Sequence, residues 1–250
     1  MKTFRLSMLA IIALFFAVCA HAQTVDDIIN KYIDAVGGRE AISKIKSLHI
    51  EGEAYVKGDT VSSDKGIARS SGIVNLIVGK GWKSESTDFN GIKNIQCVTD
   101  TGGWSVTSIP GFPMPTATVM SKDTYNAFKV NLQVGGLLMN YVENGCKAEL
   151  VGKETMDSIS VYKIKLTKSS NESDFYINAN TYYLIKTELG AEKTPNLATI
   201  INTNYQKTDI GYMIPFIVTI SMPNGGNATQ TITKVVVNPV IDPKIFERPE

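Results

Sequence analysis

The 250-residue sequence is poor in the side chains that most enzymes use for chemistry. It contains two histidines, His21 and His49, and only three cysteines and two tryptophans. One histidine in the body of the chain supplies no recognisable metal-ligand spacing, so no metal site is expected. No Gly-x-Ser-x-Gly elbow accompanies His49, which leaves a nucleophile triad without support. His49 reads instead as a surface-strand residue that shares an exposed face with Glu51 and Glu53. No Gly-rich strand-to-helix loop is present to hold phosphates, and Gly135-Gly136 is too weak a match to imply a nucleotide cofactor. Charge of either sign is not in excess: 25 Lys and Arg face 24 Asp and Glu. The basic residues are scattered, so nucleic acid is excluded as a partner. Internal repeats and low-complexity tracts are also missing. After residue 20 no apolar run approaches the ~20 residues that a helical membrane span needs.

What is present begins with an address label. Lys2 and Arg5 precede an apolar stretch from Leu6 to Ala20, and Ala20-His21-Ala22 fits a signal-peptidase site. Residues 1–22 are therefore expected to be a cleaved signal peptide, which directs the remainder, from Gln23, to the periplasm or outside the cell. Lipid attachment at Cys19 is disfavoured because Val18 stands where a small residue is needed. Export leaves Cys97 and Cys146 in an oxidising compartment, where they either form a disulfide or remain as two buried thiols.

The body of the chain opens with an amphipathic helix. Val25, Ile28, Ile29, Tyr32, Ile33 and Val36 fall on one stripe, Thr24 and Asp27 make a capping pair, and Gly37-Gly38 ends it. A short helical turn, 39–45, follows. The polar face, with Asp26, Asp27 and Asp34, is too acidic for an anionic bilayer, so the stripe packs on the domain itself.

From residue 47 onward about a dozen short β-type runs alternate with Gly, Asn, Asp and Ser. In one of them Tyr162, Ile164 and Leu166 oppose Lys163, Lys165 and Thr167, the pattern of an antiparallel sheet with one dry face. Hairpin-like links such as Asn90-Gly91 predict a meander. Trp82 and Trp104 are read as packing residues within it. The rhythm breaks at 109–145, where three prolines precede two short helical stretches, 123–132 capped by Ser121 and 136–144. An apolar insertion of this kind has to fold back onto the dry face.

The most apolar strand is 212–222. Its alternate residues Tyr212, Ile214, Phe216, Val218, Ile220 and Met222 make a face with no polar position, and covering it is worth roughly 1.5 to 3 kcal/mol per side chain. Strong twist curls a one-sided sheet of this width into an incomplete barrel, with more dry face than two or three short helices fill. The composition, apolar surface with little reactive chemistry, points to a monomeric binder rather than a catalyst.

Three segments carry a family resemblance: "VDDIINKYIDAVGGREAISKIKSLHIEG", "VYKIKLTKSSNESDFYINANTYYLIKTE", and "NYQKTDIGYMIPFIVTI" through "TITKVVVNPVIDPKIFERP". Together they resemble outer-membrane lipoprotein-sorting proteins of the LolA/LolB-like superfamily, in their Bacteroidetes form. The resemblance implies a mainly β (α+β) fold, a single antiparallel sheet of about eleven strands curled into an unclosed barrel over residues 23–250, with an N-terminal helix and a helical lid at 109–145. It implies an apolar cavity for lipid or lipoprotein acyl chains, no cofactor, and transient contact with envelope membrane proteins. The face from Tyr212 to Met222 is then the cavity wall, and Phe112, Met114, Phe128, Leu132, Leu137, Leu138 and Tyr141 line the lid. Family carriers hold the lid with an arginine of an early strand, and Arg69 is the nearest by location. A non-transporting envelope adaptor with a filled interior and a secreted hydrolase are the alternatives.

Overall fold

A computed structural model of the protein describes residues 23–57, 67–113, 115–190, 198–223 and 226–249. Residues 1–22, where a signal peptide is expected, Met114 and Asn224-Gly225 lie outside the described residues. Helix α1 spans Val25–Ala35 and begins with the expected capping box, in which Thr24 Oγ1 accepts from the Asp27 amide and the Asp27 carboxylate accepts from the Thr24 amide. A second helix, α2, covers Gly38–Ser43. Twelve strands then match the β-type runs of the sequence: β1 Ser47–Lys57, β2 Ile67–Ile77, β3 Gly81–Asp88, β4 Lys93–Thr99, β5 Gly103–Ser108, β7 Lys147–Met156, β8 Ile159–Lys168, β9 Asn171–Asn178, β10 Leu184–Leu189, β11 Ala198–Lys207, β12 Met213–Ser221 and β13 Asn227–Val237. The two-residue β6, Thr118–Val119, makes thirteen where the family resemblance implied about eleven.

All thirteen form one antiparallel sheet in the order β6-β5-β4-β3-β2-β1-β13-β12-β11-β10-β9-β8-β7. Two meanders, β1 to β6 and β7 to β13, are thus zipped together at the centre by β1 and β13. The outermost strands, β6 and β7, do not pair with each other, so the sheet is not closed into a barrel. That topology dictates the insertion's path. A chain leaving one edge at β6 must cross the full width of the sheet to begin β7 at the other. It does so over the inner face as α3, Lys122–Phe128, a 3-10 turn, Lys129–Leu132, and the one-turn α4, Gly136–Met139. The second helical stretch is shorter than its sequence pattern predicts, because Asn140 turns back to bond the carbonyls of Val134 and Gly136 at 2.8 and 2.9 Å.

The main core lies where α1 and α4 cover the β8–β9 end of the inner face. Ile28, Ile29, Ile33 and Leu138 are no more than 2 % exposed against Ile164, Leu166, Phe175 and Ile177. A smaller core joins Ile45 and Val134 to Leu48 and Leu76 at the start of β1. The outer face of β8–β10 is polar, as expected, yet not simply wet. Asp174 is 1 % exposed and pairs with Lys163 at 2.9 Å, beside Lys186–Glu188 at 2.6 Å.

Helix α1 is stitched to the apolar strand at its C-terminus, where the Met213 amide donates to the Val36 carbonyl at 2.9 Å. Gly37 makes that approach possible, since its φ is +119° and a Cβ there would sit 2.6 Å from the Gly211 carbonyl oxygen. Gly38, at φ +79°, has nothing within 4 Å of such a Cβ. Gly37→Ala is therefore expected to destabilise the protein by about 2 kcal/mol or more, and Gly38→Ala by about 1 kcal/mol. Urea midpoints at constant m-value measure both.

Candidate functional site

The register across the sheet centre explains where the inner face is left uncovered. Gly52 lies opposite Gly72, Ala54 opposite Ser70, and Ser70 and Gly72 opposite Asp88 and Ser86 of β3. On the other side Ala54 meets Gln230 and Gly52 meets Ile232. Directly opposed residues of an antiparallel pair share a face, so a band of glycine, alanine and serine runs across adjacent strands. Without side chains to fill it, the band leaves a hollow of about 280 Å³. Ile50, Val74, Ile232 and Trp82 form its apolar end, and Ser70, Ser84 and Gln230 give it polar groups. Trp82 in turn meets the lid, with its ring centroid 6.0 Å from that of Phe128.

The sequence-predicted wall residues stand beside this hollow rather than at its centre. Val218 is opposite Gln230, and Ile220 is opposite Ala228, which is opposite Val56. Strand alternation keeps Phe216 on that same face. Tyr212 packs with both inner cores and Ile214 is buried. Met222, just past β12, is 48 % exposed. Of the lid residues, Leu132 and Leu138 are buried, Leu137 and Tyr141 pack on the main core, and Phe128 reaches Trp82. Phe112 does not belong with them: it is 71 % exposed, because the proline-rich turn after β5 keeps it off the sheet. Arg69 also departs from its expected role. It lies opposite Tyr55, one residue off the inward-facing Ala54–Ser70 pair, and its guanidinium stacks 5.4 Å from the Tyr55 ring on the outer face. It cannot hold a lid that lies on the other side.

The hollow itself was missed in the sequence, although a signal existed. Two glycines in neighbouring strand patterns, with alanine and serine at alternate positions, mark a place where something other than a side chain approaches the backbone. His49 does face outward, bonded to Asn75 and Glu51, and Glu51 pairs with Lys234. Among the described residues no group of three or more His, Cys, Asp and Glu side chains converges as a metal site.

The disulfide is not formed. Cys97 and Cys146 are both free and buried. Cys97 lies in β4, near one edge of the sheet, against Phe246, whereas Cys146 precedes β7 at the opposite edge.

The class of structure so defined, an open antiparallel sheet with a crossing helical insertion, can be set beside known proteins. No family model matches the sequence, and no curated protein matches it significantly. Solved structures do share the fold. A LolA superfamily protein from Nitrosomonas europaea is 14 % identical, with a TM-score of 0.58 over 90 % of this chain and 98 % of that one. A DUF1329 family protein from Desulfovibrio piger is 11 % identical, with a TM-score of 0.62 over 90 % and 98 %. A putative outer membrane lipoprotein-sorting protein domain from Vibrio parahaemolyticus is 11 % identical, with a TM-score of 0.59 over 89 % and 97 %. At these identities the likeness is one of fold.

Burial leaves a titration signature. It pushes the Cys97 thiol up from 9.0 to about 11 and the Tyr212 phenol up from 10.0 to about 12. Both folded values lie above the unfolded ones, so the stabilisation from holding these groups protonated is complete below pH 9 and is lost as pH rises toward 12. The unfolding free energy is expected to fall above pH 9, by up to about 1.4 kcal/mol per pH unit for each group, and the urea midpoint falls with it. Burial raises the Cys146 thiol as well, so Cys97→Val combined with Cys146→Val should move the onset to about pH 10, where tyrosine begins to ionise.

Proposed function

We propose that this protein is an exported, non-catalytic carrier that takes an acyl chain of a lipid or lipoprotein into the hollow over Gly52 and Gly72. The observation that carries the reading is the vacancy itself. Three adjacent strands, β1 to β3, present small side chains to one apolar-ended space that Gln230 and Ile232 of β13 border, beneath an insertion whose Phe128 touches the rim residue Trp82. A methylene taken out of water gains about 0.8 kcal/mol, so a dry groove of this kind holds a chain without a bond being made or broken. Val218, Ile220 and Phe216 extend the apolar surface from the hollow toward β12. The shared fold with the LolA superfamily protein and the lipoprotein-sorting domain supports the same reading. The signal-peptide pattern of the sequence at 1–22 is consistent with the periplasm as its place of work.

An envelope adaptor on the same scaffold is favoured by one observation, the dense filling of the β8–β9 half by α1 and α4. Filling the remaining space separates the two readings. A Cβ at Gly72 would meet only the Glu85 carbonyl oxygen, at 3.5 Å, which is ordinary contact, so a larger side chain is admitted there. Gly72→Leu is expected to lower the affinity for a dansyl-labelled acyl ester at least about tenfold, a loss of 1.4 kcal/mol, with the melting temperature little changed. An adaptor would bind the ester no better before the substitution than after it.

A further inference from the structure

The outer face carries a second, separate cavity. The chain after β13 folds back across β3–β5, where the 3-10 turn Pro243–Phe246 lays the Phe246 ring flat over Gly81, whose missing side chain admits it. The Phe246 carbonyl is fixed by two donors, Trp104 Nε1 at 3.0 Å and Cys97 Sγ at 3.4 Å. Between this segment and Pro115-Thr116 remains a groove of about 640 Å³, within the range of small-molecule sites.

Its floor is apolar: Ile95, Trp104, Val106 and Ile245. Its rim is cationic. Lys83 is answered by Glu85 at 2.9 Å, whereas Lys244 and Arg248 have no ion-pair partner among the described residues, and Glu247 is the one acid on the lining. The nearby Asp242 carboxylate is engaged as the cap of the Lys244 amide, at 3.0 Å. An apolar floor bordered by two cations that no described acid pairs with is complementary to a molecule with one anionic head and a short hydrocarbon body. We propose that this groove binds a single-chain anionic amphiphile, its carboxylate or phosphate head held by Lys244 and Arg248 and its chain laid along Trp104 and Val106. The site is on the opposite face of the sheet from the hollow and does not rest on the carrier reading.

The two tryptophans separate the two sites, since Trp104 floors the groove and Trp82 borders the hollow. Bromoundecanoate, a quenching fatty carboxylate, is titrated into the Trp82→Phe protein, in which Trp104 alone emits. The expected result is saturable quenching, competition by dodecyl phosphate, and at least about tenfold weaker binding in the Lys244→Gln/Arg248→Gln protein, the size of one lost charge-assisted contact. Equal quenching by the neutral bromoundecanol overturns the proposal, as does an unchanged affinity in the doubly substituted protein. So does quenching seen only for Trp82 in a Trp104→Phe background. If Trp82→Phe does not fold, amide NMR shifts in the unsubstituted protein decide: movement at Lys244, Ile245 and Arg248 supports the site, and movement confined to Ile50 and Val74 contradicts it.

Discussion

An open sheet thirteen strands wide exposes an inner face that the chain's own helices do not cover from edge to edge, and the rest of the structure answers to that shortage. Helix α1, with Ile28, Ile29 and Ile33, and the one-turn α4, with Leu138, are committed to the β8–β9 end, where Ile164, Phe175 and Ile177 demand burial. The crossing insertion reaches the centre with Leu132 and Val134. Past Trp82, over the middle of β1 and β2, the covering thins, and the sequence there turns to Gly52, Ala54, Ser70 and Gly72 instead of large apolar side chains. Small residues spare the uncovered region the cost of wet hydrocarbon, and at the same time they leave room for hydrocarbon from elsewhere.

The two faces of β3 and β4 show how one hairpin serves two spaces. Trp82 and Val98 point inward, toward the lid, while Lys83 and Cys97 point outward, beneath the returning C-terminal segment. Trp104 is drawn to the outer side by its bond to the Phe246 carbonyl, and Gly81 allows the Phe246 ring to lie against the sheet. Whatever enters either space therefore rests on β3, the strand common to both. Arg69, stacked on Tyr55, takes no part in the inner one.

Much of this was legible in the sequence because it depends on local pattern. Period 3.6 over Val25 to Val36 and the Thr24–Asp27 pair announced α1, and Ser121 announced α3. The β-type runs landed within a few residues of twelve strands. What escaped depends on partners far apart in the chain. The hollow exists because Ala54 of β1 meets both Ser70 and Gln230, and nothing local to Gln230 reveals that meeting. The buried Asp174 was hidden in the same way, since only the β8–β9 register sets it against Lys163 and its neighbours. The course of 239–249 is set by the meeting of Phe246 with Gly81, far apart in the chain, and the two cysteines could be judged only once β4 and β7 were known to lie toward opposite edges. Phe112 has the composition of a lid residue, but its prolines hold it in solvent.

The central claim is that hydrocarbon from outside the chain occupies the space above Gly52 and Gly72. Methyl relaxation in the presence of a spin-labelled neutral acyl ester reads that occupancy atom by atom. The account predicts strong broadening of the Ile50, Val74 and Ile232 methyls, with those of Ile164 and Ile177, sealed beneath α1, left sharp. Broadening confined to exposed methyls such as Val142 and Val240, with Ile50, Val74 and Ile232 unaffected, would contradict it.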